Sequence, residues 1–499
     1  MTTEFLIYGI AVVVMWFVSW KLRSVTARQT LYLIASYLFY FSWGSWLIVI
    51  LIFSSLMNYA LGEWLKKQIT AGRLWAGLIA NLALLSVFKY LPMLSNIAPA
   101  GSPLLLLKRI LFPVGISFWT FQAMSYLLEI YREEELDPTL LEFCLYMSFW
   151  PTVLQGPICR MSAMLPQFRQ DWAVSNNDLK TGVRRVSIGF LMAGLAMVMS
   201  GGLYAGAGVD PVFDHATFAN AATRLSGIDV WFLIIGYGFQ LYFSFCGFCH
   251  IVIGAARLFG IQLQENFNRP YLSTTISNFW TRWHMSLSFW IRDFVFLPLA
   301  TARREVWWRN LSLVIAMFTF GIWHIGAAEK GGYLLMMWGT YHGILLVLHR
   351  QWQEFRKRMG FEWSGTVPTL ISWWLTFSAV CIGYIFFRAE SIPQAFGMLK
   401  AMASLRTYRH LTLDHSFYVM VLAAAAGYFA VIGGSMLLDR LAEAADEQVS
   451  PSRTRRLFAI FADERWVWIV PIVIVSALYL SVIFQPGHAE TGPVMYALF

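Results

Sequence analysis

The sequence predicts an all-α polytopic membrane bundle, and three observations predict it. Charged residues make up 13% of the 499 positions and hydrophobic ones 58%, where soluble chains run at about 25% charged. Mean hydropathy is +0.57. The apolar residues also fall in runs long enough to cross a hydrocarbon core, which takes about 20 residues as a helix. With 17% aromatics, the composition excludes a disordered chain, and only 5 cysteines in 499 residues exclude a small disulfide-stapled fold.

Residues 4–20 form the first apolar stretch. The flank Met1-Thr2-Thr3-Glu4 carries no positive charge and no small-residue cleavage site follows, so the stretch reads as a retained span. Residues 30–62 are too long for one crossing and read as two. Further spans are expected at 74–95, 184–205, 229–255, 309–324, 332–349, 367–388, 416–437 and 466–485. Three less continuous stretches, 103–130, 141–155 and 276–300, carry Pro103, Pro113, Pro151, Arg282, Arg292, Asp293 and Pro298. These read as broken, tilted or re-entrant helices, which a membrane accommodates only where protein or a wet cavity covers the exposed backbone. The expected total is about 10 to 12 embedded helices. The loop of small and polar residues at 205–228 is the longest, and no tandem repeat divides the chain.

Basic residues set the orientation. Lys21, Arg23 and Arg28 follow the first stretch, which puts the N-terminus outside and this loop in the cytoplasm. Lys66, Lys67 and Arg73, then Arg303, Arg304 and Arg309, then Arg350 to Arg358, and finally Arg453, Arg455 and Arg456 mark further cytoplasmic edges. They account for most of the formal charge of +9, so the excess reports topology and contact with membrane lipid headgroups and requires no nucleic-acid partner. The acidic patches at Glu133 to Asp137 and Asp439 to Asp446 read as solvated loop faces.

Cys246-Gly247-Phe248-Cys249-His250 spells a C-x-x-C-H haem-attachment run. It lies inside the apolar stretch QLYFSFCGFCHIVIG, out of reach of attachment machinery, and buried thiols packing as small hydrophobes are the better reading.

Ionisable groups inside a membrane segment cost at least about 2.5 to 3.5 kcal/mol, which makes each a functional candidate. The densest cluster runs from Asn278 to Asp293. If it is helical, His284, Ser288 and Arg292 share one face, with Trp283, Leu287 and Trp290 behind them. Gly321-Ile322-Trp323-His324 and Trp338-Gly339-Thr340-Tyr341-His342-Gly343 are the other two clusters. Neutral imidazole is suited to accept a proton near neutral pH. The plainer alternative for each is a core histidine bonded to a carbonyl.

Other chemistries lack their signatures. No H-E-x-x-H and no compact His/Cys set is present, which argues against a metal site. G-x-S-x-G and G-x-x-x-x-G-K-[ST] are also missing, which argues against a hydrolase elbow and a nucleotide-driven pump. A histidine-based reaction in a membrane cavity remains, or a proton-coupled transport path through the same groups. Transporters often show matched broken segments in two halves, whereas here the polar clusters gather between residues 250 and 345.

The chain resembles the membrane-bound O-acyltransferases, in the bacterial branch of alginate O-acetylation and teichoic acid D-alanyl transfer proteins. The markers are Phe112-Pro113-Val114-Gly115-Ile116-Ser117-Phe118 with Gln122 and Tyr126, Gln155-Gly156-Pro157-Ile158 with Arg160, and Pro166-Gln167-Phe168. Glu265-Asn266-Phe267-Asn268-Arg269-Pro270-Tyr271, the run from Phe279 to Asp293, Trp323-His324 and Phe386-Phe387-Arg388-Ala389-Glu390 complete them. The resemblance implies one integral domain over residues 1–499, with N-terminal helices to about 100, a core over about 101–400 and C-terminal helices beyond.

It also implies a bundle around a central funnel in a bacterial inner membrane, with His324 as catalytic base and His284 as the second functional histidine. Arg282, Trp283, Ser288, Arg292, Asp293, Asn266 and Trp323 would contact substrate. The implied reaction carries a short acyl group, acetyl first, from a cytoplasmic thioester to a hydroxyl of an envelope or exported polysaccharide. The donor would be acetyl-CoA or an acyl carrier protein, used as co-substrate with no bound cofactor. A separate extracytoplasmic acyltransferase or carrier protein is the expected partner. D-alanyl, lipid or protein acylation are alternatives within the family, and a non-enzymatic transporter is the alternative outside it. The chain departs from the family pattern at His250, at Ile325 and at Ala300-Thr301-Ala302.

Overall fold

A computed structural model describes residues 2–96, 98–99, 101–202, 208–215, 225–326 and 332–447. The span expected at 466–485 and the basic residues Arg453, Arg455 and Arg456 lie outside the described residues. Within the described residues the regular structure is helical throughout, with no strand. In chain order the helices are α1 Thr2–Lys21, α2 Val25–Gly44, α3 Ile48–Lys67, α4 Ala71–Lys89, α5 Ile116–Tyr131, α6 Leu140–Ser148, α7 Met161–Arg169, α8 Asn176–Gly201 and α9 Val209–His215. They continue with α10 Gly227–Leu258, α11 Ile276–Trp280, α12 Met285–Ile291, α13 Leu297–Ala302, α14 Val306–Trp323, α15 Gly332–Met359, α16 Thr366–Arg388, α17 Ile392–Ala403 and α18 His415–Glu447.

Seven helical stretches among the described residues are long and apolar enough to cross a membrane, the first being α2 and α3 taken together. The protein is an integral multi-pass membrane protein. The expected stretch 30–62 is the α2–α3 pair, parted by a 3-10 turn at Ser45–Leu47. Ser24 caps α2 by accepting the Ala27 N–H at 3.3 Å, and Thr70 caps α4 through the Arg73 N–H at 3.4 Å. Helix α1 covers the expected span 4–20, but its apolar part, Ile7–Lys21, is shorter than the seven, and α15 covers the expected span 332–349 without being among them either. Thr340, Tyr341 and His342 interrupt its apolar half, and Arg350 to Arg358 charge its end.

The three uneven stretches are broken as their composition requires. Residues 103–130 are a 3-10 turn at Pro103–Arg109 followed, past Pro113, by α5. Stretch 141–155 begins with α6, opened by a capping box between Thr139 and Glu142, and turns before Pro151. Stretch 276–300 divides into α11, α12, a π-helical turn at Arg292–Phe296, and α13. The loop expected at 205–228 contains the short helix α9.

The chain forms two compact units. The first comprises Met1–Val186 and Ile251–Glu265. Asn58 of α3 and Asn81 of α4 exchange amide hydrogen bonds at 3.0 and 2.6 Å inside it, a buried polar pair that fixes how the two helices face each other. Glu142 accepts two bonds from Arg169, at 2.8 and 2.9 Å. The second unit comprises Ser187–His250, Asn266–Ile325 and the described part of Lys330–Phe499, and it holds all the candidate catalytic residues.

Helices α14 and α15 of the second unit pack unusually closely. A Cβ on Gly321 would lie 2.3 Å from the Leu335 carbonyl oxygen, and one on Gly339 would lie 2.2 Å from that of Met317. Backbone cannot yield as a flexible side chain can, so Gly339→Ala should destabilise the folded protein by about 1–3 kcal/mol. A lowered thermal midpoint in detergent would register it, and an unchanged midpoint would contradict this packing.

Candidate active site

Helix α10 has its residues 227–250 in the second unit. In its most apolar window 89% of residues are buried, against 22% to 33% in the other apolar stretches, so it is enclosed by protein where those face lipid. Its Leu241 and Phe245 form one wall of a cavity completed by Trp283, His284, His324, Trp338, Tyr384 and Phe387. The cavity volume is about 10 Å³, room for about one water molecule.

His284 reaches this cavity because the helix it was expected to lie in is broken there. Thr275 caps α11 by accepting the Asn278 N–H at 3.0 Å, and after Trp280 the chain turns. His284 then takes φ 42° and ψ 55°, the left-handed conformation, immediately before α12. That conformation costs a non-glycine residue about 1–2 kcal/mol, so its surroundings must impose it. The Met285 N–H donates to the Asn266 carbonyl at 2.9 Å, the Ser286 N–H to Asn266 Oδ1 at 3.1 Å, and the Asn268 N–H to the Arg282 carbonyl at 2.9 Å. The imidazole is 2% exposed and packs edge-on against Phe245 at 4.7 Å. Its Nδ1 is buried and has no hydrogen-bond partner among the described residues.

The single helical face proposed for His284, Ser288 and Arg292 is therefore corrected, because the left-handed turn removes His284 from the helix carrying the other two. Ser288 donates its hydroxyl back to the Trp283 carbonyl at 2.9 Å. Arg292 pairs with Asp293 at 2.7 Å with half of its side chain exposed, and its guanidinium lies over the Phe289 ring at 4.7 Å.

His324 sits at the C-terminal end of α14. Its Nδ1 is 2.8 Å from the Phe320 carbonyl oxygen. A carbonyl only accepts, so the hydrogen of a neutral ring lies on Nδ1 and the basic lone pair on Nε2. The ring stacks on Phe320 at 5.2 Å and meets Trp338 and Phe387 edge-on at 5.4 and 5.5 Å. Trp338 is 3% exposed, and its indole nitrogen is another buried donor with no partner among the described residues. Tyr384 is anchored by Tyr271, whose hydroxyl is 2.9 Å from its own and 2.6 Å from the Gly238 carbonyl oxygen.

Of the residues picked from sequence, His284, His324 and Trp283 meet at the cavity. Arg282, Ser288, Arg292, Asp293, Asn266 and Trp323 are not on its wall. Trp323 is buried, and Asn266 is wholly buried among backbone and a thiol. His342 is buried against Trp280 and Trp338 at 5.1 and 5.2 Å, behind the cavity wall. Leu241, Phe245 and Tyr384 carry no signal in the sequence, since one apolar residue within an apolar run looks like any other, and Trp338 and Phe387 stand there only as members of longer motifs. All five cysteines are buried thiols. Cys249 of the C-x-x-C-H run accepts a hydrogen bond from the Asn266 amide at 3.3 Å.

Comparison with known proteins bears on this arrangement. Residues 7–389 match the model of MBOAT, the membrane-bound O-acyltransferase family. The chain is 31% identical over 422 residues to a peptidoglycan O-acetyltransferase of Helicobacter pylori, covering 77% of this chain and 76% of that protein. It is 30% identical over 406 residues to a probable alginate O-acetylase, AlgI, of Pseudomonas aeruginosa, covering 78% and 72%. With a teichoic acid D-alanyltransferase of Bacillus subtilis it shares 27% identity over 339 residues, covering 65% and 80%. An all-helical membrane bundle, two histidines at one enclosed cavity and a family match over most of the chain together establish that this protein belongs to the membrane-bound O-acyltransferase family.

Proposed function

We propose that the protein transfers an acetyl group from a cytoplasmic thioester, acetyl-CoA or an acetylated carrier protein, to a hydroxyl of an envelope or exported polysaccharide, with His324 as the base. The observation that carries this reading is the meeting of His324 and His284, from separate segments of the chain, at one narrow cavity walled by aromatic rings. His324 Nε2 takes the proton of the acceptor hydroxyl as its oxygen attacks the thioester carbonyl. The C–S bond then breaks, and the leaving thiolate recovers that proton from His324, so atoms and charge balance. His284 and the Trp338 indole N–H are the donors available to the developing oxyanion. Arg282, a substrate contact by the family resemblance, is not on the cavity wall.

At about 10 Å³ the cavity admits no acyl group unless a wall ring moves, and the shortest acyl chain asks for the least movement. Removing a wall ring should relax this limit. Phe387→Ala is expected to raise the ratio of butyryl to acetyl transfer by about tenfold or more, read by competing the two thioesters in one reaction. An unchanged ratio would show that Phe387 does not bound the acyl group.

The basic ends of the α2–α3 and α14–α15 hairpins support the proposed orientation. In each hairpin both charged ends fall on one side, Arg28 with Lys66 and Lys67, and Arg309 with Arg356 and Lys357. That side is the cytoplasmic one, with the N-terminus outside and the chain in a bacterial inner membrane. A separate extracytoplasmic protein would complete delivery to the glycan. Reconstituted protein incubated with labelled acetyl-CoA and a panel of alginate, peptidoglycan and teichoic acid fragments tests the reading, and absence of label in every acceptor and in a co-purified partner would sink it.

A further inference from the structure

We infer that Asn266 is a positioning residue for His284, with Cys249 fixing the direction in which its amide faces. This rests on the acyl-transfer reading of the histidine pair and assigns to Asn266 a role other than substrate contact. The two N–H groups that follow His284, those of Met285 and Ser286, are both held by this one residue, the first by its main-chain carbonyl at 2.9 Å and the second by its side-chain oxygen at 3.1 Å. They are the opening donors of α12, groups that a helix leaves unsatisfied unless capped. His284 occupies the cap position with no side-chain cap bond. Because Asn266 supplies that cap from another segment, the imidazole is left for the cavity.

The orientation of the amide matters, since Asn presents an acceptor at one end and donors at the other. Nδ2 donates to Cys249 Sγ at 3.3 Å, which leaves Oδ1 facing the Ser286 N–H. Turned over, the amide would set N–H against N–H. With Asn266 at 0% exposure and Cys249 at 2%, no solvent is at hand to accommodate that clash. A chain of contacts therefore runs from the Cys249 thiol through the Asn266 amide to the left-handed backbone of His284, and from there to the cavity.

The test uses full-length protein in nanodiscs with labelled acetyl-CoA and the acceptor that the wild type labels best. Asn266→Ala should lower kcat by about 10²-fold, the scale of a misplaced catalytic group, while KM for acetyl-CoA stays close to that of the wild type. Asn266→Asp keeps an oxygen for the Ser286 N–H and should recover a substantial part of the loss. Cys249→Ala should give a smaller loss, partly restored in Cys249→Ser. Histidine-selective NMR of the same samples supplies a readout independent of turnover, with the His284 ring signal displaced in Asn266→Ala and returning toward wild type in Asn266→Asp.

Wild-type kcat and an unmoved His284 signal in Asn266→Ala would overturn the proposal. So would equal losses in the Ala and Asp variants, which would mark general misfolding. If Asn266→Ala does not purify as folded protein, the Asp and Cys249 variants decide the question on the same criteria. His324→Ala is the control: activity retained there defeats the histidine mechanism itself, whereas its loss beside a fully active Asn266→Ala defeats only the positioning role.

Discussion

His324→Ala is expected to purify as a folded protein and to transfer acyl groups about 10²- to 10⁴-fold more slowly than wild type, the range that general-base assistance supplies. The fold should survive because His324 ends α14 and packs at the edge of an aromatic cluster without carrying a helix interior. The loss should fall on kcat with KM for the thioester little changed, since the proton is taken only as the bond forms. His324→Gln keeps a polar side chain of similar reach but no basic nitrogen, and it should be nearly as slow. A kinetic comparison of the two variants against wild type checks this, and substantial activity in His324→Gln would mean that the ring serves as a hydrogen bond and not as a base.

Replacing His284 should be almost as damaging for a different reason. As an oxyanion donor it is expected to be worth about 10²- to 10³-fold in kcat. The left-handed backbone offers a means of separating chemistry from stability. Glycine adopts positive φ without the penalty that His284 bears at φ 42°, so His284→Gly should keep or raise the thermal midpoint while losing activity. Loss of activity accompanied by an equal collapse of the midpoint would assign the residue to structure. The His284→Ala/His324→Ala double variant should be little slower than His324→Ala alone, because residues that act on one transition state do not contribute additively.

Much of this was legible in the residues, and what was not has physical causes. Composition and run length located the seven long apolar stretches among the described residues, because burying 20 backbone units in lipid leaves only a helix as the solution. The uneven stretches were recognisable from Pro113, Pro151 and Pro298. The break at His284 was not, because the run Trp280 to Ile291 contains neither glycine nor proline. It is imposed by Asn266, a residue brought in from outside that run by tertiary packing. Periodicity read along the chain gave the wrong face for the same reason: a helical stripe is only as good as the continuity of the helix. The pair His284 and His324 stood out because imidazole is costly in an apolar stretch. The aromatic wall did not, since Phe245, Trp338 and Phe387 have the same character as the lipid-facing rings around them, and only the folded chain shows which of them enclose the cavity. Arg292 and Asp293, notable for their charge in an apolar stretch, pair with each other at 2.7 Å.

The central claim is that His324 is the base of a transfer reaction in this cavity, and label transfer tests it most directly. Wild-type protein and His324→Ala are reconstituted separately and matched for folded fraction. Each is incubated with acetyl-CoA labelled in the acetyl carbon and with the glycan panel. Label reaching a glycan hydroxyl from the wild type, and none above background from His324→Ala, is the predicted result. Equal labelling by the two proteins would contradict it.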